Sequence, residues 1–182
     1  MAGRFARILV PTDFGTASDA ALECAKELAR RFNSRMYVLH VVEDPMANGI
    51  WTPDVYIAAS AELRETLLHD AKVRLDTTFT SAERKEFDAV SEVRIGGPSE
   101  NIGEFARETR IDLIVMGTHG RRGLSHMFLG SVAERMVRTA PCPVLTIRAD
   151  RRFADQPITG SAAANAVNQL TVDPLIADRL TR

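Results

Sequence analysis

Short apolar runs alternating with helical stretches constrain this chain more than any other feature. Ile111-Asp112-Leu113-Ile114-Val115-Met116 and Met36-Tyr37-Val38-Leu39-His40-Val41-Val42 are almost continuously apolar. A strand with one solvated face would alternate apolar and polar residues, so these two are expected to be buried on both faces, as in a parallel sheet. Arg7-Ile8-Leu9-Val10-Pro11 is a third run, stopped by proline and the turn residues Thr12-Asp13-Phe14-Gly15, and Val144 to Arg148 is a further one. Val90 to Ile95 alternates more than the others, which predicts partial solvent contact and a place at the sheet edge.

Between the runs the apolar period changes to three and four residues. Ala21, Leu22, Ala25, Leu28, Ala29 and Phe32 form one stripe, with Thr16 or Ser18 as the cap and Asn33-Ser34 as the stop. Leu63, Leu67, Leu68, Ala71, Leu75 and Phe79 predict one long helix from about Val55 to Phe79, its charges Glu62, Arg64, Glu65, Lys72 and Arg74 forming a solvated face. Ile102, Phe105 and Ala106 give a third helix its apolar side, ending near Thr109-Arg110, and Val132, Met136 and Val137 mark a last one. Parallel neighbours need helical, right-handed crossovers, so this order predicts an α/β sandwich around a parallel sheet. The strand order is not legible from these patterns.

The 182 residues fit one domain with a tail, and the formal net charge of −1 supplies no basic footprint for nucleic acid and no polybasic run for an anionic membrane. No apolar stretch approaches the roughly 20 residues of a membrane helix, and residues 1–7 run into a strand without a signal-peptide core, so a cytoplasmic location without membrane insertion is expected. Cys24 and Cys142 lack metal or redox spacing and read as structural. His40 reads as a buried or hydrogen-bonded strand residue and His69 as exposed, while Trp51, in the loop from Glu43 to Pro53, either covers a pocket or anchors its loop. From Arg151 onward large apolar residues thin out. The chain is therefore divided into a domain at 1–149 and an extension at 150–182, either flexible or docked through a short helix after Asp173-Pro174.

The chemistry concentrates in Gly117-Thr118-His119-Gly120-Arg121-Arg122-Gly123 through Leu129-Gly130-Ser131, which joins the run at 111–116 to the last helix. Glycines let backbone N–H groups approach an anion, a helix start adds unpaired amides and a positive dipole end, and Ser131 can cap amides or bind a ligand oxygen. The stretch reads as a phosphate cradle, set against the plainer reading of glycines serving turn geometry. Arg121, with His119, Arg122 and His126, can reach phosphate oxygens or point to solvent. No Walker lysine follows the glycines, and no triad, carboxylate pair or metal-ligand cluster stands elsewhere, so no residue is assigned a catalytic role. Asp13 is either a turn aspartate bonding its own backbone or a ligand contact.

The spacing Gly117-x2-Gly120-x9-Gly130-Ser131, with Ile8-Leu9-Val10-Pro11-Thr12-Asp13 at the start and Ala140-Pro141-Cys142-Pro143-Val144-Leu145 at the close, resembles the ATP-binding branch of the universal stress protein family over residues 4–148. The resemblance implies an open, Rossmann-like five-stranded sheet of order 3-2-1-4-5, with helices on both faces and the ligand crevice where the order reverses. It implies ATP, with magnesium, as the ligand. Pro11, Thr12 and Asp13 would lie near adenine and ribose, Val41 would line the base pocket and Met116 would touch the base. Gly117 and Gly120 would bring backbone to ribose and phosphates, and Gly130, Ser131 and Val132 would present amides and a hydroxyl to the phosphate chain. It further implies a homodimer through the last strand and a stress-response role in which nucleotide occupancy sets conformation or the choice of a regulated protein partner. The alternatives are a slow magnesium-dependent ATPase using the same pocket and a structural dimer with an empty crevice.

Overall fold

The computed structural model of the chain describes residues 5–44, 53–118 and 130–148. Strands β1 (Arg7–Pro11), β2 (Arg35–Val42), β3 (Val90–Ile95), β4 (Leu113–Gly117) and β5 (Val144–Ile147) form a sheet in the order β3-β2-β1-β4-β5, with every pair parallel. Helices α1 (Thr16–Phe32), α2 (Pro53–Asp76), α3 (Ser81–Glu86), α4 (Pro98–Glu108) and α5 (Ser131–Thr139) connect them. The extension from residue 150 lies outside the described residues.

The nearly continuous apolar runs become strands buried on both sides. Ile8 and Val10, Met36 and Val38, and Leu113 and Val115 face α1 and the end of α2. Leu9, Tyr37, Leu39, Ile114 and Met116 face α4 and α5. All eleven are at most 8% exposed, which accounts for the absence of polar alternation in these segments. β3, whose sequence does alternate, is half-buried along its length and lies at the sheet edge as expected.

Several local expectations need correcting. The N-cap of α1 is Gly15, not Thr16 or Ser18. Ser18 acts from the third helical position, where its hydroxyl accepts from the Gly15 N–H (3.1 Å) and donates to the Gly15 carbonyl (2.8 Å). The long helix ends at Asp76 rather than running through Phe79, because Thr80 starts a new helix: its Oγ1 accepts from the Glu83 N–H at 3.2 Å while Glu83 Oε2 accepts from the Thr80 N–H at 2.9 Å. Leu63 is exposed, because the buried side of α2 runs through Ala71 and Leu75 instead. Arg64 is not simply solvated, since it pairs with Asp44. Val137 is 54% exposed, while Ala133 and Met136 carry the packing of α5.

The short helix α3 is held to α1 by a buried cation. Lys26, 6% exposed, places Nζ 2.8 Å from both Glu23 and Glu83 and 5.7 Å from the Phe79 ring centroid. Burial works against its charge, but the hydrogen bonds to Glu23 and Glu83 outweigh burial and hold its pKa above the ordinary lysine value. The hydrogen bond from Lys26, followed by that from the Thr80 backbone, lowers the Glu83 carboxyl from 4.5 to about 2. A carboxyl depressed in the folded state stabilises above its unfolded pKa, and this contribution is lost as pH falls through the folded value. Urea unfolding of the native chain should therefore show a loss of stability between pH 4.5 and about 2 that Glu83→Gln largely removes; equal acid sensitivity in the two proteins would contradict the clamp.

Candidate functional site

The order β2-β1-β4 places the carboxyl ends of three parallel strands side by side, and the connections after β1 and β4 depart in opposite directions along the sheet. A crevice opens at such a reversal because the two loops diverge, leaving backbone groups at the strand ends uncovered.

One wall is the turn between β1 and α1. Pro11 pairs with Leu39, and the Thr12 N–H donates to the Leu39 carbonyl at 2.9 Å, so the ladder continues to the edge of the turn. Thr12 Oγ1 accepts from the Phe14 N–H at 2.9 Å and donates to Ser18 Oγ at 3.1 Å. Asp13 Oδ1 accepts from the Gly15 N–H at 3.0 Å, which is the turn role. Phe14 adopts φ 61°, a left-handed conformation uncommon for a large side chain, and the hydroxyl and carboxylate before it hold it there. His40 Nδ1 lies 2.7 Å from the Thr12 carbonyl, and since a carbonyl only accepts, that nitrogen donates. His40 is thus hydrogen-bonded, one of the two expectations for it.

The opposite wall begins at Gly117, the last residue of β4. A Cβ built there would stand 2.7 Å from the Ala17 carbonyl carbon and 2.8 Å from its Cβ. This glycine is required by the first turn of α1 lying across the strand end, a reason that the sequence reading did not anticipate. Thr118, 8% exposed, donates its N–H to the Ile147 carbonyl at 2.8 Å and accepts from the Gly130 N–H at 2.6 Å. The chain is thereby pinched between residues 118 and 130, and α5 starts directly beside the end of β4.

At that start the N-cap is Gly130, without a side-chain cap, and the first intrahelical bond runs from Glu134 N–H to the Gly130 carbonyl at 2.8 Å. Ser131 is the first helical residue, one position past the N-cap, and is exposed; of the two roles expected of it, capping is not met. The amides of Ser131, Val132 and Ala133 precede the first intrahelical bond, and the positive end of the helix dipole adds to theirs. This arrangement can accept an anion through backbone N–H groups alone.

Of the expected site residues, Val41, Met116 and Val132 meet in the apolar cluster on the α4/α5 face, where Met116 is 4% exposed. Pro11, Thr12 and Asp13 sit at the end of β1, Gly117 at the end of β4, and Gly130, Ser131 and Val132 at the start of α5. Gly120 and Arg121, like His119, Arg122, His126 and Trp51, lie outside the described residues. Sequence reasoning missed Ala17 and Thr118. The small residue at the second position of α1 was the signal for the first, whereas the Thr118–Gly130 bond leaves no mark in sequence. Burial pushes both thiols up to about 11, helped by Glu27 at Cys24 and by Asp112 at Cys142, so neither is a nucleophile near neutral pH.

Gly117→Ala should lower stability by about 1–3 kcal/mol, the usual cost of overpacking, because the added methyl meets backbone of α1. Chemical denaturation measures it, and a neutral result would show that α1 does not lie against this strand end.

The universal stress protein family's sequence profile matches residues 4–148. A universal stress protein of Methanocaldococcus jannaschii, MJ0531, is 34% identical over 154 residues, covering 81% of this chain and 85% of the relative. The solved structure of MJ0577, a universal stress protein from the same organism, superposes with TM-score 0.68 at 26% identity, covering 80% of this chain and 96% of that one. A universal stress protein solved in complex with cAMP shares the fold, with TM-score 0.50, 22% identity and coverage of 80% and 98%. Among the described residues, no helix is long and apolar enough to cross a membrane.

Proposed function

Since the chain belongs to the universal stress protein family, we propose that it binds an adenine nucleotide, ATP with magnesium, in the crevice between β1 and β4, and that occupancy regulates its conformation or its choice of protein partner in a stress response. The observation that carries this reading is the uncapped start of α5, whose three leading amides stand beside the end of β4. Pro11, Thr12 and Asp13 flank adenine and ribose, Val41 and Met116 line the base, and Gly117 is the strand end over which the ribose lies. Gly130, Ser131 and Val132, joined by Gly120 and Arg121 of the connecting loop, hold the phosphates. Magnesium would sit on phosphate oxygens and neutralise their charge.

The same geometry favours binding over turnover. Amides and a hydroxyl hold the ground-state triphosphate, whereas hydrolysis needs a contact that strengthens in the transition state, such as an oriented water. Asp13 is the carboxylate of this wall, and its Oδ1 is engaged by the Gly15 N–H.

Ser131→Pro isolates the cradle. Proline is favoured at a first helical position, and the extended Gly130 backbone (φ −56°, ψ 146°) tolerates a following proline. The variant loses one N–H and one hydroxyl without disturbing the helix. ATP with magnesium at a hundredfold excess over its dissociation constant should raise the melting temperature of the native chain by about 5–11 °C, the equivalent of about 2.7 kcal/mol. Ser131→Pro should melt like the native chain without nucleotide and bind ATP at least about tenfold more weakly, the effect of one lost charge-assisted bond. Intact ATP should be recovered from these incubations. The absence of any ATP shift would remove the nucleotide reading, an undiminished shift in Ser131→Pro would remove α5 from the site, and steady turnover would establish the enzyme instead.

The reading extends to assembly. Among the described residues β5 is an edge strand, four residues long with three of them half-buried, and an edge of this kind invites pairing. We propose a homodimer formed through it, so light scattering should give twice the chain mass for the native protein and a monomer for Leu145→Lys. A monomeric native protein would exclude this interface.

A further inference from the structure

The ladder between β1 and β2 stops one bond short of where its backbone groups could carry it. In a parallel pair, a residue facing the neighbouring strand donates its N–H to one residue there and accepts at its carbonyl from the residue two further on. Thr12 makes the first of these bonds, to the Leu39 carbonyl at 2.9 Å. The second would run from the Val41 N–H to the Thr12 carbonyl, and it is not made: the paired residues end at Pro11 and Leu39. The Thr12 carbonyl is held instead by the His40 ring, whose Nδ1 stands 2.7 Å from it.

Backbone groups alternate between the two edges of a strand from one residue to the next. The Leu39 carbonyl points towards β1, so the N–H of Val41, two residues on, points the same way. Val42 confirms the alternation, because its carbonyl accepts from the Gly96 N–H at 2.9 Å on the β3 side. By the level of Val41 the chain has left β1 for the turn into α1, so this N–H of a half-buried residue points over the strand end into the crevice. The ring that takes its acceptor is firmly placed. His40 is half-buried and its ring lies 4.5 Å from that of Phe14, whose backbone is held at φ 61° by the Thr12 hydroxyl.

We propose that His40 is a positioning residue of the crevice: its ring takes the Thr12 carbonyl, ends the β1–β2 ladder one bond early and so keeps the Val41 N–H open to a ring-nitrogen acceptor of the base. Without the donor on His40, the Thr12 carbonyl is left to the Val41 N–H, the ladder gains its next bond and the crevice loses a donor. The inference rests on the nucleotide reading for its ligand, but the open N–H is a property of the free chain and is measured without nucleotide.

Two substitutions separate the hydrogen bond of the ring from its packing. His40→Phe keeps a ring against Phe14 and removes the donor, while His40→Asn keeps a donor in the place of Nδ1 and removes the ring. Amide hydrogen exchange of the full chain without nucleotide reads the ladder and shows that each variant is folded; calorimetric titration with adenosine, which has no phosphate, reads the base. In the native chain and in His40→Asn the Val41 N–H should exchange at least about tenfold faster than the Leu39 N–H inside the ladder. In His40→Phe the Val41 N–H should slow, and adenosine weaken, by at least about tenfold each, the worth of one hydrogen bond. A Val41 N–H as protected as that of Leu39 in the native chain overturns the proposal without recourse to either variant. Unchanged Val41 exchange and adenosine affinity in His40→Phe overturn it too, as does a His40→Asn that behaves like His40→Phe, since packing would then be the cause. A native chain that binds neither adenosine nor ATP while its Val41 N–H exchanges freely would remove the nucleotide reading and uphold the role of His40 in the ladder.

Discussion

The carboxyl edge of this sheet depends on a missing Cβ. Gly117 ends β4 with Ala17 packed so closely over it that any side chain would meet the backbone of α1. Because α1 begins there, the turn from Pro11 to Gly15 is drawn beside the end of β4. On the other side, Thr118 continues the same strand into its bonds with Ile147 and Gly130, which bring α5 to the edge. Close packing at one backbone position thus sets the spacing between two loops that are distant in sequence.

The interior supports this edge from both faces. Ile8, Val10 and Val115 are fully buried beneath α1, and Leu9 and Ile114 beneath α4 and α5. At about 25 cal/mol per Å² of apolar surface, two-sided burial contributes far more per residue than an exposed sheet can. It also fixes the register of each strand, because a one-residue slip would exchange its two faces and repack both clusters at once. The strand ends that line the crevice inherit this rigidity.

Much of the fold was legible because it follows from periodicity. The unbroken apolar runs announced strands covered on both sides, and the alternation in Val90 to Ile95 announced an edge. Strand order was not legible from the residues, since helical crossovers of similar length are compatible with several orders, and it came instead from the family resemblance that the topology bears out. The break at residues 77–80 could have been read from Thr80-x-x-Glu83, a reciprocal capping pair, but the apolar spacing from Leu63 through Phe79 concealed it. Periodicity also misplaced Val137, because Val132, Ala133 and Met136 already cover the part of the sheet that this nine-residue helix meets. The glycines of the site were legible as glycines, but not for the reason that applies at Gly117: a close approach to a helix depends on tertiary packing.

The turn between β1 and α1 is held by its own hydrogen bonds. The Thr12 N–H bonds the Leu39 carbonyl, the Thr12 carbonyl bonds His40, and the N–H groups of Phe14 and Gly15 bond Thr12 and Asp13. A ligand arriving at this wall meets groups already in place, so little of its binding energy is consumed in ordering the loop. The same bonds restrain Asp13. To swing away from the turn, towards the far end of a ligand, it would have to release Gly15, which supplies the cap of α1 and the lead-in to Ala17. These bonds order the wall before any ligand arrives, which is what the proposed holding of a nucleotide would draw on.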